Sequence, residues 1–152
     1  MRVLQEFNYL DSYNAITGAV VAFLTLLLGK YWFLFVIFLA LNIIDYVTGL
    51  IKSKLTNAIN SQAGLRGVIK KLGYWIMILV AFIASVFFIQ IGMVLGIDLH
   101  ITSALGYFVL ASLTINEIRS ILENLVEAGY QVPTILTKGL EVADKVINQD
   151  EK

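Results

Sequence analysis

The segment Tyr31–Ile51, YWFLFVIFLALNIIDYVTGLI, decides the fold class of this chain. At about 1.5 Å per residue, a helix over this segment is about 31 Å long, close to the roughly 30 Å hydrocarbon core of a bilayer. Asp45 is its one charged residue. We therefore predict a transmembrane helix here.

Three more apolar blocks predict further spans, at about 12–28, 72–97 and 101–115. The whole chain is 59% hydrophobic and only 14% charged, with a mean hydropathy of +0.82, which argues against a soluble fold. Short connections within 29–30 and 98–100 favour antiparallel neighbours. We predict an all-α, polytopic membrane protein with four spans arranged as two hairpins.

The positive charges predict the orientation of the chain. Residues 52–71, which connect the two hairpins, contain five cations and no acid: Lys52, Lys54, Arg66, Lys70 and Lys71. By the positive-inside rule this basic loop is cytoplasmic, and with four spans both termini are cytoplasmic as well. If the first block only dips into the bilayer, the N-terminus is outside instead.

Polar residues inside apolar blocks are the first candidates for function. Asp45 shares a helix face with Asn42, and an ionised carboxylate near a helix centre costs about 2.5–3.5 kcal/mol on insertion scales. Asp45 is thus expected to face the bundle or water. It is a pore-lining or gating group, the structural partner of Arg119, Lys70 or Lys71, or a helix-end residue at headgroup depth.

A second polar group closes the fourth block. Asn116, Glu117 and Arg119 follow Ile115 directly. Two interpretations stay open for them, because they either line an aqueous path or mark the exit of the helix from the membrane.

A stripe of small residues in the third span indicates close helix packing. Its members are Ala81, Ser85, Gly92 and Gly96, and the last two have the GxxxG spacing. Small residues let membrane helices approach closely, so the stripe is a candidate oligomer seam. Packing within one protomer explains the spacing equally well.

Residues 1–115 are expected to form the transmembrane domain and residues 116–152 a cytoplasmic, amphipathic helical tail. Gly129 and Pro133 are predicted to end the first tail helix, and a second apolar stripe follows them. The tail has seven acids and four bases, so its net charge is negative by three and it can pair with the basic loop.

The residues give no indication of an enzyme. Cysteine is absent, and the single histidine, His100, lies in no metal or nucleophile motif. We expect no cofactor or metal and no nucleic acid partner, because cations beside spans are what orientation alone requires. Membrane lipids are the expected partners of the basic loop.

Two segments carry a resemblance to a known family. IIDYVTGLIKSKL with SQAGLRGVIKKLGYW is similar to the central signature of the toxin secretion/phage lysis holin family, and NEIRSILENLVEAGYQVPTILTKGLE resembles its C-terminal pattern. The matching residues of the first are Asp45, Thr48, Gly49, Gly64, Gly67, Lys70, Lys71 and Leu72. Those of the second are Asn116, Glu117, Ser120, Ile121, Glu123, Asn124, Gly129, Val132, Pro133, Leu136 and Lys138.

The resemblance implies a protein of the bacterial cytoplasmic membrane that accumulates, assembles into homo-oligomers and permeabilises the membrane, with endolysin or a large toxin as cargo. Two other functions remain open on the residues alone. One is a small ion channel or transporter that uses the intramembrane carboxylate, and the other is a membrane scaffold without a pore.

Overall fold

The structure, a computed structural model, describes residues 2–58 and 60–147, and residues 2–10 and 63 by their backbone only. The ends of the two predicted domains, Met1 and residues 148–152, lie outside the described residues. Five α-helices occupy most of this part of the chain: α1 Arg2–Leu28, α2 Phe33–Leu55, α3 Ser61–Leu95, α4 Ser103–Glu127 and α5 Thr134–Ile147, with a 3₁₀ turn at His100–Thr102. The prediction of an all-α fold is confirmed.

Four of these helices contain segments long and apolar enough to cross a membrane: Asp11–Leu28, Phe33–Leu55, Gly64–Leu95 and His100–Glu127. These segments confirm the four predicted apolar blocks. They also extend the last one, because α4 continues unbroken past Ile115 to Glu127. The predicted boundary between membrane domain and tail at 115–116 therefore lies inside a helix.

The basic loop is much shorter than predicted. Residues 52–55 belong to α2 and residues 61–71 to α3, so only residues 56–60 connect the two helices. Lysine and arginine are good helix formers and no proline interrupts them, so both helices extend past their apolar blocks. Helix α2 ends at Leu55, just before Asn57, whose φ of 53° is not helical. All five cations of the predicted loop thus stand on helices: Lys52, Lys54, Arg66, Lys70 and Lys71.

Helix α4 is the centre of the bundle. It packs along α2 on one side and along α3 on the other, whereas α1 contacts α3 over a much smaller area. Short turns join α1 to α2 and α3 to α4, as predicted, but the main partner of α2 is α4 and not α1. The described side chains of α1 are almost all exposed, apart from Leu28 at its end.

The apolar core lies between α2, α3 and α4. Its buried members are Leu28, Phe38, Ile78, Phe82, Leu110 and Leu113. Tyr107 ties the end of α1 to it, because its hydroxyl donates to the carbonyl oxygen of Leu28 at 3.0 Å and its ring meets the Phe82 ring edge-on. Outside this core, long apolar side chains cover the surfaces of α2 and α3, as a lipid environment requires.

The turn between α3 and α4 is held by polar contacts. The backbone N–H of His100 donates to Asp98 Oδ1 at 2.9 Å, and His100 Nδ1 lies 2.8 Å from the same oxygen. Both contacts favour the ionised carboxylate, so the pKa of Asp98 is lowered from its ordinary value.

The end of α4 confirms the prediction made from Gly129 and Pro133. Gly129 has a φ of +89°, a conformation that favours glycine, and the N–H of Tyr130 donates to the carbonyl of Leu125 at 3.0 Å. Helix α5 begins immediately after Pro133.

Candidate functional site: a buried ion cluster

A buried ion cluster joins the three packed helices. The ammonium group of Lys71 on α3 lies 2.9 Å from Asp45 Oδ2 on α2, and it also donates to Glu117 Oε2 on α4. Glu117 exposes 4% of its side chain, Asp45 13% and Lys71 15%. One cation thus holds two carboxylates from different helices inside the protomer.

Hydrogen bonds extend the cluster along α2 and α4. Asn124 Nδ2 donates to Asp45 Oδ1 at 3.0 Å and approaches Thr48 Oγ1 at 3.5 Å. The Thr48 hydroxyl itself donates to the backbone carbonyl of Asp45. Both oxygens of the Asp45 carboxylate therefore have partners, which offsets part of the cost of removing it from water.

Asn42 forms a second link, between α2 and α3. Its Nδ2 donates to the Phe38 carbonyl at 2.7 Å, and its Oδ1 accepts from Trp75 Nε1 at 3.2 Å. Every fully buried side-chain N or O atom in the described residues has a hydrogen-bond partner. The interior polar groups are thus satisfied without water or a second chain.

We expect Trp75→Phe to remove only the Asn42 link. Interhelical hydrogen bonds in membranes contribute about 0.6 kcal/mol on average and up to about 1.7 kcal/mol. The free energy of unfolding in mixed micelles should fall by an amount in this range. A double-mutant cycle with Asn42→Ala isolates the coupling, and a coupling near zero would contradict the link.

A polar pocket of about 430 Å³ lies beside the cluster. Asp45, Lys71 and Glu117 form one wall, and its other polar lining residues are Lys70, Tyr74, Asn116, Arg119, Ser120 and Glu123. Asn116 is exposed and belongs to the pocket rim, whereas its neighbour Glu117 is buried. Lys70 is also exposed, and its ammonium lies 5.5 Å from the centre of the Tyr74 ring.

Among the structural partners proposed for Asp45, the structure selects Lys71. Arg119 instead pairs with Asp144 of α5, with 2.7 Å between Nη2 and Oδ2. Lys52 pairs with Glu127 at 2.9 Å, so the acidic tail and the predicted basic loop do meet within one protomer. Both of these pairs are partly exposed, and such pairs contribute little to stability.

The predicted oligomer seam is largely occupied within the protomer. Ala81 and Ser85 are buried, and the Ser85 hydroxyl donates to the carbonyls of Ala81 and Thr102 at 2.8 Å. Gly92 packs on the turn at Ile97–Leu99, where an added Cβ would meet the Ile97 carbonyl at 2.6 Å. Gly96 lies beyond the last residue of α3 with a φ of +68°, so the GxxxG pair is not a helical face.

Thr48 and Asn124 are the members of the cluster that lie outside the predicted polar site residues. The sequence indicates Asn124 only through the family resemblance, although Asn124 lies seven residues after Glu117 and hence on the same helix face. Asp45, Thr48 and Lys71 come from the first resembling segment, and Glu117 and Asn124 from the second. The two segments meet at this one site.

The fold and the site define a multi-pass helical membrane protein with an internal ion cluster. A profile of the bacteriophage holin family matches residues 22–145. The chain belongs to this family, whose members permeabilise membranes and are not known as enzymes.

Individual relatives are similar over most of this chain, and one of them is named as a holin. A probable holin of Bacillus phage phi105 is 30% identical over 114 residues, which cover 75% of each chain. An uncharacterised protein of Listeria monocytogenes is 30% identical over the full length of this chain and 95% of its own. One from Halalkalibacterium halodurans is 31% identical over 90% of this chain and 92% of its own. No solved structure matches the chain.

Proposed function

We propose that this protein is a holin that accumulates in the bacterial cytoplasmic membrane, assembles into homo-oligomers and opens lesions that release endolysin or a large toxin. Family membership and the phage relative named as a probable holin support this proposal. The observation that carries it in the structure is the ion cluster closed inside an otherwise apolar bundle. Both termini are proposed to be cytoplasmic, as the positive charges indicate.

The closed bundle is suited to accumulation in the membrane without opening a lesion. The three charged groups of the ion cluster are paired inside one protomer and long apolar side chains cover the outer faces of α2 and α3, so a single copy is compatible with lipid. Shielding of Asp45 and Glu117 from lipid therefore does not itself drive association. Opening is the step that requires water or other subunits, because separating α2, α3 and α4 would leave these groups unpaired.

Polar residues in and beside the ion cluster are the proposed water-facing groups of the open state. Asn116 is exposed at the pocket rim, next to Glu117, which is buried in the closed bundle. Asn42 and Asp45 lie on the adjacent face of α2. In the lesion, these four side chains are proposed to face water.

The direct test is induced expression in bacteria together with a cytoplasmic endolysin that has no export signal. We expect loss of the membrane potential followed by lysis. Depolarisation without endolysin release would favour an ion channel instead. Growth with an intact potential at high protein level would contradict the proposal and favour a scaffold.

Asp45→Asn tests the part played by the cluster. The amide keeps the size of the side chain and an acceptor for Asn124 but loses the charge that attracts Lys71. If the closed state loses about 1.4 kcal/mol, the open population rises about tenfold, so lysis should begin earlier at equal protein level. Asp11→Asn, at an exposed carboxylate of α1, is the matched control. Unchanged lysis timing and oligomer size in Asp45→Asn would limit Asp45 to a structural role.

A further inference from the structure

The last residues of α1 fill one end of a gap between α2 and α3. Helix α4 packs along both α2 and α3, whereas α2 and α3 make little direct contact with each other. Leu28 is buried in one apolar cluster with Phe38 of α2 and Ile78 of α3. Leu24 and Leu27 pack against the same cluster. Residues 24–28 are therefore the part of α1 that the bundle holds.

The same gap continues as an open groove. Its cavity of about 350 Å³ is lined, in the described part of the chain, by α2 and α3 only, and its large lining residues are Leu39, Ile43, Tyr46, Val68, Leu72 and Trp75. Asn42 and Tyr46 follow Phe38 at four-residue spacing, so they share its face of α2. Trp75 precedes Ile78 by three residues and donates to Asn42 across the gap. The α2–α3 groove is thus the unfilled continuation of the gap that Leu28 closes.

The face of α1 that carries Leu24 and Leu28 continues without a partner towards the start of the helix. At spacings of three and four residues it comprises four exposed side chains, here called the free face: Tyr13, Thr17, Val20 and Val21. This spacing is that of a packing seam between helices. One chain therefore has both an unfilled groove and an unused length of the helix face that fills the rest of the same gap.

The free face and the α2–α3 groove lie at similar depth in the bundle. Val20 is eight residues from Leu28, or about 12 Å along α1. Leu72 is six residues from Ile78, or about 9 Å along α3. Spanning helices tilt by only about 20° from the bilayer normal on average. Two copies side by side in one bilayer thus present the free face and the groove to each other without a vertical shift.

We propose that the free face of α1 from one copy docks in the α2–α3 groove of a neighbouring copy. This inference rests on the proposed function, because it supplies the contact between subunits of the homo-oligomer. The chain's own α1 is the poorer occupant. It is one continuous helix held at Leu28, and its side chains are exposed from residue 11 to residue 23, so it leaves its own groove open.

The chemistry of both surfaces suits helix packing in lipid. Membrane helices associate through van der Waals contacts, since lipid supplies no hydrophobic drive, and a fixed concave groove increases those contacts. Val20, Val21 and Thr17 are β-branched and have few side-chain conformations to lose on packing. The Thr17 hydroxyl can also donate across the contact.

The proposed contact does not limit the number of subunits. The free face and the groove are different surfaces, so the interface is heterologous, and each copy has one of each. Heterologous contacts build rings if the rotation closes and open chains if it does not. A symmetric contact of two free faces would instead stop at a dimer.

Oxidative cross-linking of the full chain in bacterial membranes tests the proposal, since the chain has no cysteine of its own. Val20→Cys combined with Leu72→Cys places one thiol on the free face and one in the groove. A disulfide requires the two Cβ atoms to approach within about 3.5–4.5 Å. We expect a ladder of dimers, trimers and longer covalent chains that collapses to monomer on reduction. Each single variant should stay monomeric, and two singly substituted chains with different tags should form one mixed dimer.

Two control pairs move one thiol off the proposed contact. Ala22→Cys with Leu72→Cys places the first thiol on the opposite side of α1, at nearly the same depth. Val20→Cys with Met77→Cys places the second thiol on an exposed face of α3 away from the groove. Both pairs should lose the ladder.

A ladder of equal strength in either control would overturn the proposal, because random collisions would explain it. A disulfide within one chain would also overturn it, since α1 would then close its own groove. Dimers of Val20→Cys alone would show a symmetric contact, and no cross-link at all would show that lipid fills the groove. Cross-linking is measured before lysis. A ladder in cells that never lyse would contradict lesion formation and keep this contact, whereas lysis without a ladder would do the reverse.

Discussion

Lys71→Met is expected to lower the free energy of unfolding of the bundle more than any other single charge removal described above. The substitution leaves Asp45 and Glu117 facing each other without a cation, and Glu117 is almost fully buried. Removing one partner of a buried pair costs about 3–5 kcal/mol, because an uncompensated charge remains inside. Unfolding in mixed micelles, followed by circular dichroism, should show a loss of this size.

Lys70→Met is the matched control for Lys71→Met. It removes the same charge from the next residue of α3, where the side chain is exposed, so it should change stability by less than about 1 kcal/mol. The triple variant Asp45→Asn, Lys71→Met, Glu117→Gln tests the reason given. It leaves no unpaired charge and should recover most of the stability. Equal stability of Lys71→Met and Lys70→Met would contradict the role of the cluster.

Much of the fold was predictable because it follows from the cost of exposing backbone and charge to lipid. Apolar length identifies the four spans, and the end of α4 follows from Gly129 and Pro133. The extent of the connection 52–71 was not predictable in the same way. Hydropathy shows where charged residues begin. A helix ends only where the backbone leaves helical dihedral angles, which here happens at Asn57.

The sequence predicted several members of the ion cluster better than it predicted which of them pair with each other. The rule that an intramembrane carboxylate needs a partner led to Asp45 and to three candidate cations. The choice of Lys71 over Arg119 depends on which helices pack together, and this is a tertiary property. Because α4 lies between α2 and α3, Glu117 reaches the Lys71 ammonium, while Arg119 two residues later points to α5.

Side-chain spacing also could not decide which small residues form contacts within the chain. The sequence pointed to Ala81, Ser85, Gly92 and Gly96, yet a glycine of α4, Gly106, also packs directly against α3. At Gly106, an added Cβ would lie 2.6–2.8 Å from ring atoms of Phe82 on α3. Detecting this contact requires the register between α3 and α4, which no periodicity within either helix reveals.

Gly106→Ala is therefore expected to destabilise the closed bundle, although alanine is the better helix former by about 1 kcal/mol. The Phe82 ring is buried and also contacts Tyr107, so it has little room to move. Overpacking of this kind costs about 1–3 kcal/mol. Gly73→Ala is the matched control, since an added Cβ there meets nothing within 4 Å and should leave the bundle equally or more stable.

The second effect of Gly106→Ala should appear at the ion cluster. Pushing α4 away from α3 at Gly106 lengthens the distance between the Glu117 carboxylate and the Lys71 ammonium. The ion pair that keeps the bundle closed is therefore weakened. We expect earlier lysis in Gly106→Ala than in Gly73→Ala at equal protein level. Phe82→Leu, which shortens the opposing side chain, should relieve part of the defect when combined with Gly106→Ala. If the double variant is as unstable as the sum of the single variants, the Phe82 contact is not the cause.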